Sequence, residues 1–262
     1  MTLNIATWNI NSVRLRADLV CKLLKNEDID LLCLQECKSP VEKFPLDVFS
    51  KIGFSHLVAR GQKGYNGVAI LSKFPLFEKC AIDFAGLGHA RHIAAQLENG
   101  IIIHNFYVPA GGDEPDRQKN EKFDQKLDYL TEMRDYFNAN EPKKSILVGD
   151  LNIAPRPEDV WDHKKMAKIV SHTEVEIDHL DAVQTAGNWV DVTRKDIPMK
   201  KLYSWWSYRA KDWSTSDRGR RLDHIWASAD IAPNVGSSRI LREVRGWERP
   251  SDHVPVLATI DL

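Results

Sequence analysis

Five short stretches of the chain set an apolar run against side chains that can bind a cation or move a proton. They are Trp8-Asn9-Ile10-Asn11, Gln35-Glu36, Asn105-Phe106-Tyr107-Val108-Pro109, Asp150-Leu151-Asn152 and, just ahead of the last apolar run, Ser251-Asp252-His253. In SILVGDLNIAP (145–155) the apolar Ile146-Leu147-Val148 leads through Gly149 straight into Asp150 and Asn152. Side chains alternate in extended chain, so residues 150 and 152 point the same way and Leu151 points back. Asp can take a proton from water, and Asn can donate to an oxyanion. Gly, Asp and Asn also suit a plain strand-to-loop turn. Asn9 and Asn11 repeat the spacing of two and share a face by the same rule. Glu36 follows Leu31-Leu32-Cys33-Leu34-Gln35. It reads as a solvated edge or as a ligand for a hard cation such as Mg²⁺.

His253 adjoins Asp252, and Asp223 in RRLDHIWAS offers a second carboxylate to orient its ring. An Asp–His pair fixes the tautomer and favours the imidazolium. No GxSxG is present, so the nucleophile of a serine hydrolase is missing. Carboxylates, amides and a charged His without a Ser or Cys nucleophile fit metal-assisted hydrolysis of a phosphate ester.

Residues 200–221 (KKLYSWWSYRAKDWSTSDRGRR) hold seven Lys or Arg against two Asp, a local charge of +5. Tyr203, Trp205, Trp206, Tyr208 and Trp213 are interleaved. Cations for phosphates and rings for stacking are the footprint expected for nucleic acid. A solvated charged loop with some of the aromatics in the core is the other reading.

The elements that must carry these groups are short apolar runs: LNIATW, DLLCLQ, GVAIL, IIIHNFYV, SILVGD, LDHIWAS and VPVLATIDL all fit buried strands. Residues 14–26 place Leu15, Leu19 and Leu23 at helical spacing. Residues 117–139 place Phe123, Leu127, Leu130, Met133 and Phe137 on one stripe, which predicts a long surface helix. Residues 155–180 read as helical or loop. Strands and helices mixed in this way mean an α/β protein. Functional groups gather where rigid strands meet loops, so five polar ends point to one shared rim.

Bulk properties are consistent with this. The chain has 262 residues with 43% hydrophobic and 28% charged, ordinary globular composition. With no low-complexity linker and no tandem repeat, it reads as one domain. The net charge is −1, so any nucleic-acid contact depends on a local basic face. Cys21, Cys33, Cys37 and Cys80 form no CxxC pair, which favours reduced thiols and a cytoplasmic location. LNIATWNINSVRLR shows no long apolar signal region, and no run approaches the roughly 18 apolar residues of a membrane span.

Taken in order, TWNINSVR (7–14), LCLQECK (32–38), GYNGVAILSK (64–73), NFYVP (105–109), VGDLNIAP (148–155), YSWWSYR (203–209), RRLDHIWAS (220–228) and PSDHVPV (250–256) resemble the exonuclease III / AP endonuclease family of the endonuclease–exonuclease–phosphatase superfamily. The resemblance spans almost the whole chain and implies residues 1–262 as one catalytic domain. It implies an α/β fold of two packed, mixed β-sheets flanked by helices, a four-layer DNase I-like sandwich. It also implies a Mg²⁺- or Mn²⁺-dependent phosphodiesterase of base excision repair. Such an enzyme cuts duplex DNA 5′ to abasic sites, leaving a 3′-hydroxyl, and trims 3′ ends. A monomer is expected.

Carried over by position, Glu36 resembles the principal metal ligand, with Asn11 and Asp252 close to the metal. Asn9 would orient groups near the scissile phosphate, and Tyr107 would hydrogen-bond it. Asp150 would align and deprotonate the attacking water, with Asn152 beside it. Asp223 would hold His253, whose charged ring would stabilise the pentavalent phosphate. Arg14, Lys38 and Tyr65 match DNA-backbone contacts, and Trp205 and Leu222 match the pocket for a flipped-out abasic sugar. Two positions depart from the family pattern and bear on substrate preference. Ala110 stands where an amide is usual, and Arg220 stands beside the pocket in place of an apolar or aromatic side chain.

Overall fold

The computed structural model describes residues 2–261, so Leu262, the end of the last apolar run, lies outside the described residues. The strands are β1 (Thr2–Asn9), β2 (Leu31–Gln35), β3 (His56–Arg60), β4 (Val68–Ser72), β5 (Leu76–Cys80), β6 (His92–Leu97), β7 (Ile102–Tyr107), β8 (Ser145–Asp150), β9 (Trp189–Asp191), β10 (Asp223–Ser228), β11 (Val235–Ile240) and β12 (Val256–Asp261). The helices are α1 (Ala17–Asn26), α2 (Leu46–Ser50), α3 (Glu121–Ala139), α4 (His163–Met166), α5 (Glu174–Ala186), α6 (Val192–Asp196) and α7 (Trp213–Ser216).

The strands form two six-stranded sheets, ordered β11-β12-β1-β2-β4-β3 and β5-β6-β7-β8-β10-β9. Each sheet holds one parallel pair, β1 with β2 and β7 with β8, among antiparallel neighbours. The central strands β2, β4, β8 and β10 are buried along their whole length, which is why they read as unbroken apolar runs. One face of each sheet meets the other through Ile5, Cys33, Ile70, Ile103, Val148 and Ile225. The outer face of the first sheet packs Trp8, Leu32 and Leu34 against Val20, Leu23 and Leu24 of α1. The outer face of the second packs Phe106, Leu147 and Trp226 against Leu130, Met133 and Phe137 of α3 and Leu180 and Val183 of α5. The result is the expected layering of helix, sheet, sheet, helix.

All five stripe residues of α3 are buried, and the side chain of Asn120 caps the helix by accepting from the Lys122 amide at 3.1 Å. The first helix differs from expectation. It begins at Ala17, and Leu15 is 66% exposed, because residues 10–16 are drawn into the loop that follows β1. Residues 155–180 contain α4 and the first half of α5.

The two parallel pairs end at the same edge of the sandwich. β1 closes with Asn9, β2 with Gln35 just before Glu36, β7 with Tyr107 and β8 with Asp150. Buried amides join the sheets nearby: Gln35 donates to Asn105 Oδ1 at 2.7 Å, and Asn105 donates to the Leu34 and Ala69 carbonyls at 3.0 and 2.9 Å. At Gly149 (φ +141°) a Cβ would stand 1.9 Å from the Phe106 carbonyl oxygen, so only glycine lets β8 run this close to β7 into Asp150.

Candidate active site

Asp150 and Asp223 are register partners across β8 and β10 and face one another on neighbouring strands. His253, from the loop before β12, meets both. Its Nδ1 lies 2.8 Å from Asp223 Oδ2, and its Nε2 lies 3.6 Å from Asp150 Oδ2. The ring is placed from several sides. The His253 amide donates to Ser251 Oγ at 3.2 Å, and Trp8 Nε1 donates to the His253 carbonyl at 3.0 Å. Ser204 Oγ donates to Asp223 Oδ2 at 2.6 Å and accepts from the Leu222 and Asp223 amides. Burial opposes a charge on His253, yet Asp223 and Asp150 outweigh it and push its pKa up to about 10. The two carboxylates on either side of the ring thus favour its charged form.

Asp150 is buried, and burial, reinforced by the Asp223 and Glu36 charges, raises its pKa above the usual carboxylate range against the pull of His253 and a hydrogen bond from Asn9. A carboxylate raised in this way is a stronger base than a solvated one, as accepting a proton from water requires. Asn152 sits beside it: its backbone amide donates to Asp150 Oδ1 at 2.9 Å and its side-chain amide to Asp150 Oδ2 at 3.3 Å and Val108 O at 2.9 Å. Strand alternation is not what unites the pair. β8 stops at Asp150, and Asn152 is left-handed (φ +54°), so a turn folds it back onto the carboxylate. The turn and the functional pair are the same feature.

Asn9 and Asn11 likewise reach the site by different routes. Asn9 donates to both Glu36 Oε1 and Asp150 Oδ2 at 2.9 Å. Asn11 is left-handed (φ +48°), donates its amide N–H back to Asn9 Oδ1 at 3.1 Å, and turns its own side chain toward Asp252 Oδ1 at 3.2 Å. Glu36 (φ +48°) and Lys38 (φ +50°) are left-handed as well. Strained backbone of this kind persists where the surroundings over-determine it, and several such residues lie on this rim. Tyr107 lies under the Arg91 guanidinium, 4.6 Å from the ring centre. Burial, then the Glu36 and Asp150 charges, hold its pKa well above the ordinary range, so its hydroxyl stays a proton donor.

The residues expected around a metal converge. Lys38 Nζ stands 2.8 Å from Glu36 Oε2 and 2.7 Å from Asn11 Oδ1, a cation between two of the expected oxygens, with Asp252 tied to Asn11. Burial works against the Glu36 charge, but Lys38 and Asn9 donate to it and keep its pKa below the usual range. The donors are oxygens, as a hard divalent cation requires. Asp150, Asp223 and His253 also bring ligand atoms within 4.8 Å of one another and form a second acidic cluster that could hold a metal. The bond from His253 Nδ1 to Asp223 already gives that trio a complete role without one.

Beside these groups a cleft of about 870 Å³ opens, lined by Glu36, Tyr107, Asp150 and His253 and by Trp205, Leu222, Met166 and Arg220. Trp205 Nε1 donates to Asp252 Oδ2 at 3.1 Å. Arg220 lies 5.0 Å above the Trp205 ring, pinned by Ser171 Oγ at 2.8 Å and Val170 O at 3.1 Å. Arg14 and Tyr65 are exposed and lie outside the cleft lining. Their loops are nevertheless laced to that of Lys38: Val13 N donates to Cys37 O, and Lys38 N to Asn66 O. The basic segment contributes less charge to the surface than its composition implies. Arg221 is wholly buried and pairs with Asp159 and Asp191. Of its aromatics, Tyr203 and Trp206 are core.

Sequence reasoning gave no role to Arg16, Arg91, Ser204 or Ser251. Arg16 Nη1 donates to the carbonyls of Asn11 and Ile10, its Nε donates to Arg249 O and its Nη2 to Tyr208 Oη, joining the loops of Asn11 and Asp252. A serine or arginine bonded mainly to backbone leaves no periodic signal. Only the placement of Ser204 and Ser251 inside the YSWW and PSDH stretches hinted at them.

The sequence model of the Endonuclease/Exonuclease/phosphatase family matches residues 6–253. Exodeoxyribonuclease III of Haemophilus influenzae is 28% identical over 272 aligned positions, covering 96% of this chain and 97% of that protein. Among solved structures, an AP endonuclease from Archaeoglobus fulgidus superposes with a TM-score of 0.92 at 34% identity, over 99% of this chain and all (100%) of that one. A 3′ phosphatase from Neisseria, bound to product DNA hairpin, superposes with a TM-score of 0.90 at 31% identity, over 99% of this chain and 100% of that one.

Proposed function

The chain belongs to the endonuclease/exonuclease/phosphatase family, and from that premise we propose that it is a Mg²⁺- or Mn²⁺-dependent DNA phosphodiesterase of base excision repair. It cuts duplex DNA 5′ to abasic sites and trims 3′ ends, leaving a 3′-hydroxyl. The observation that carries this is the array Asp223–His253–Asp150, joined through Asn9 to Glu36. The similar exodeoxyribonuclease III, AP endonuclease and DNA-bound 3′ phosphatase supply the substrate class. One catalytic domain suffices, since both sheets contribute to one rim, and a monomer needs no further surface.

Glu36, Asn11 and Asp252 would hold the cation, which when bound neutralises charge on the phosphate and the leaving oxygen. Asp150 orients a water molecule and takes its proton as the water oxygen bonds to phosphorus. Asn9 and Asn152 fix both carboxylate oxygens, so the base does not swing away during attack. His253⁺, oriented by Asp223, and the protonated Tyr107 hydroxyl face the growing charge on the phosphate. The bond from phosphorus to the 3′-oxygen breaks, and that oxygen gains a proton from solvent. Trp205 and Leu222 receive the abasic sugar. Arg14, Lys38 and Tyr65 lie on the adjoining loops that would track the DNA backbone.

The test is a labelled duplex with one synthetic abasic site, beside an intact duplex with a recessed 3′ end, each with Mg²⁺ and with EDTA. Metal-dependent incision at the abasic site is expected, with shortening of the recessed end. No cleavage of either with Mg²⁺ or Mn²⁺ would overturn the DNA assignment and direct attention to RNA or small phosphate esters.

A further inference from the structure

Lys126 lies on the buried stripe of α3, three residues after Phe123 and four before Leu130, where the helical pattern calls for an apolar side chain. It is fully buried and faces Glu176 of α5, also fully buried, with Nζ 2.5 Å from Oε1. The remaining donors of Nζ go to two backbone carbonyls, Asn152 O at 2.9 Å and Ala110 O at 3.4 Å. Those carbonyls belong to the loops that follow β8 and β7, just beyond Asp150 and Tyr107. Glu176 is held in turn by the Ser171 amide at 2.9 Å and by the Thr173 amide and hydroxyl at 3.2 and 2.7 Å. Gly111 makes room for the lysine stem: a Cβ there would stand 2.9 Å from Lys126 Cδ.

A buried ion pair is a weak source of stability, and an apolar pair of like volume often serves as well or better. Stability alone therefore does not explain this one. What it does uniquely is present an ammonium to the carbonyl of a left-handed residue, Asn152 (φ +54°), whose amide groups brace the Asp150 carboxylate. We propose that Lys126 and Glu176 are positioning residues that hold the Asp150–Asn152 turn in register with Tyr107 for hydrolysis, a role that rests on the function proposed above. Neither touches substrate; both act through the turn.

The test compares wild type with Lys126→Met and with Lys126→Met/Glu176→Gln. The double variant removes both charges yet leaves a carbonyl for the Ser171 and Thr173 donors. Two readouts are taken on folded protein: kcat, KM and duplex affinity on abasic DNA with Mg²⁺, and hydrogen exchange of residues 148–155. A merely structural pair would lower the melting temperature and leave both readouts alone. The positioning role predicts kcat lower by roughly 10- to 100-fold, KM and affinity within about twofold, and faster exchange confined to that segment. Folded variants with wild-type kcat, or with unchanged exchange there, overturn it. Failure of both variants to fold also overturns it, by making the pair a requirement of the fold. If wild type cuts neither DNA, the proposed function falls, while the exchange data still decide whether the pair anchors the turn.

Discussion

Asn9 and Asp150 are 141 residues apart in sequence and lie on different sheets, yet Asn9 Nδ2 donates to Asp150 Oδ2 at 2.9 Å. The same nitrogen donates to Glu36 Oε1 at 2.9 Å, so one amide sets the distance between the expected base and the expected metal ligand. Asn9→Ala should lower kcat about 100-fold, the effect of losing one preorganised donor, with duplex affinity little changed. Steady-state kinetics beside fluorescence anisotropy would check it, and a variant with near-normal kcat would remove Asn9 from the mechanism.

Glu36→Gln keeps the size of the side chain and the acceptor for Asn9 but removes the charge facing Lys38. The Mg²⁺ concentration for half-maximal cleavage should rise roughly tenfold or more, while the fold is retained because the carboxylate lies at the rim. Metal titration of the cleavage rate reads this directly. An unchanged midpoint would shift the metal to the neighbouring Asp150, Asp223 and His253 cluster.

Arg220 brings a guanidinium to the wall of the cleft, stacked on Trp205. An abasic sugar presents no base to stack on that cation. Arg220→Leu extends the apolar wall formed by Trp205, Leu222 and Met166. The ratio of abasic incision to 3′-end trimming should rise roughly tenfold, the size of one altered pocket contact. Competition between the two substrates in one tube gives the ratio, and a constant ratio would free Arg220 of any part in selection.

Arg221 is the buried hub between Asp159 and Asp191. Burial alone would raise both carboxyls, but Arg221 holds both below the ordinary range. Their ionised forms therefore stabilise the fold above the ordinary carboxylate pKa of about 4, and that stability is lost as pH falls through the folded values. Arg221→Met should cost about 3–5 kcal/mol at pH 7 by stranding the buried Asp191 charge, while Asp159 keeps its pair with Arg194. The deficit should shrink as pH falls toward 4, where the stranded Asp191 carboxyl protonates. Urea unfolding at pH 7 and pH 4.5 checks the sign; an equal deficit at both would show that charge is not the cause.

Strands buried on both faces are legible in the sequence. β2, β4, β8 and β10 declare themselves as apolar runs because no residue in them meets water. β5 (LFEKC) and β11 (VGSSRI) are largely exposed, β5 and β3 lie at sheet edges, and β9 has three residues. Polar, short edge strands avoid the pattern that would reveal them. β6 (HIAAQL) is inside the second sheet, but its alanines have little strand preference of their own, and neighbours impose the conformation. Lys126 and Arg221 were unreadable for a related reason: a charged residue looks solvated until its partner, from a distant segment, is found.

The residue types that can do this chemistry are legible in local sequence. The residue types at the strand ends, their order and their eight motif stretches are local properties, and each survives without knowledge of the fold. That Asn9, Glu36, Asp150, Asp223 and His253 lie on one rim follows from the packing of the two sheets. The tertiary structure also decided that Asn152 reaches Asp150 through a left-handed turn and not by strand alternation, and that Arg221 serves the interior and not the surface. Those facts depend on how two sheets pack and on where charges from distant segments neutralise one another, and neither is written in any window of neighbouring residues.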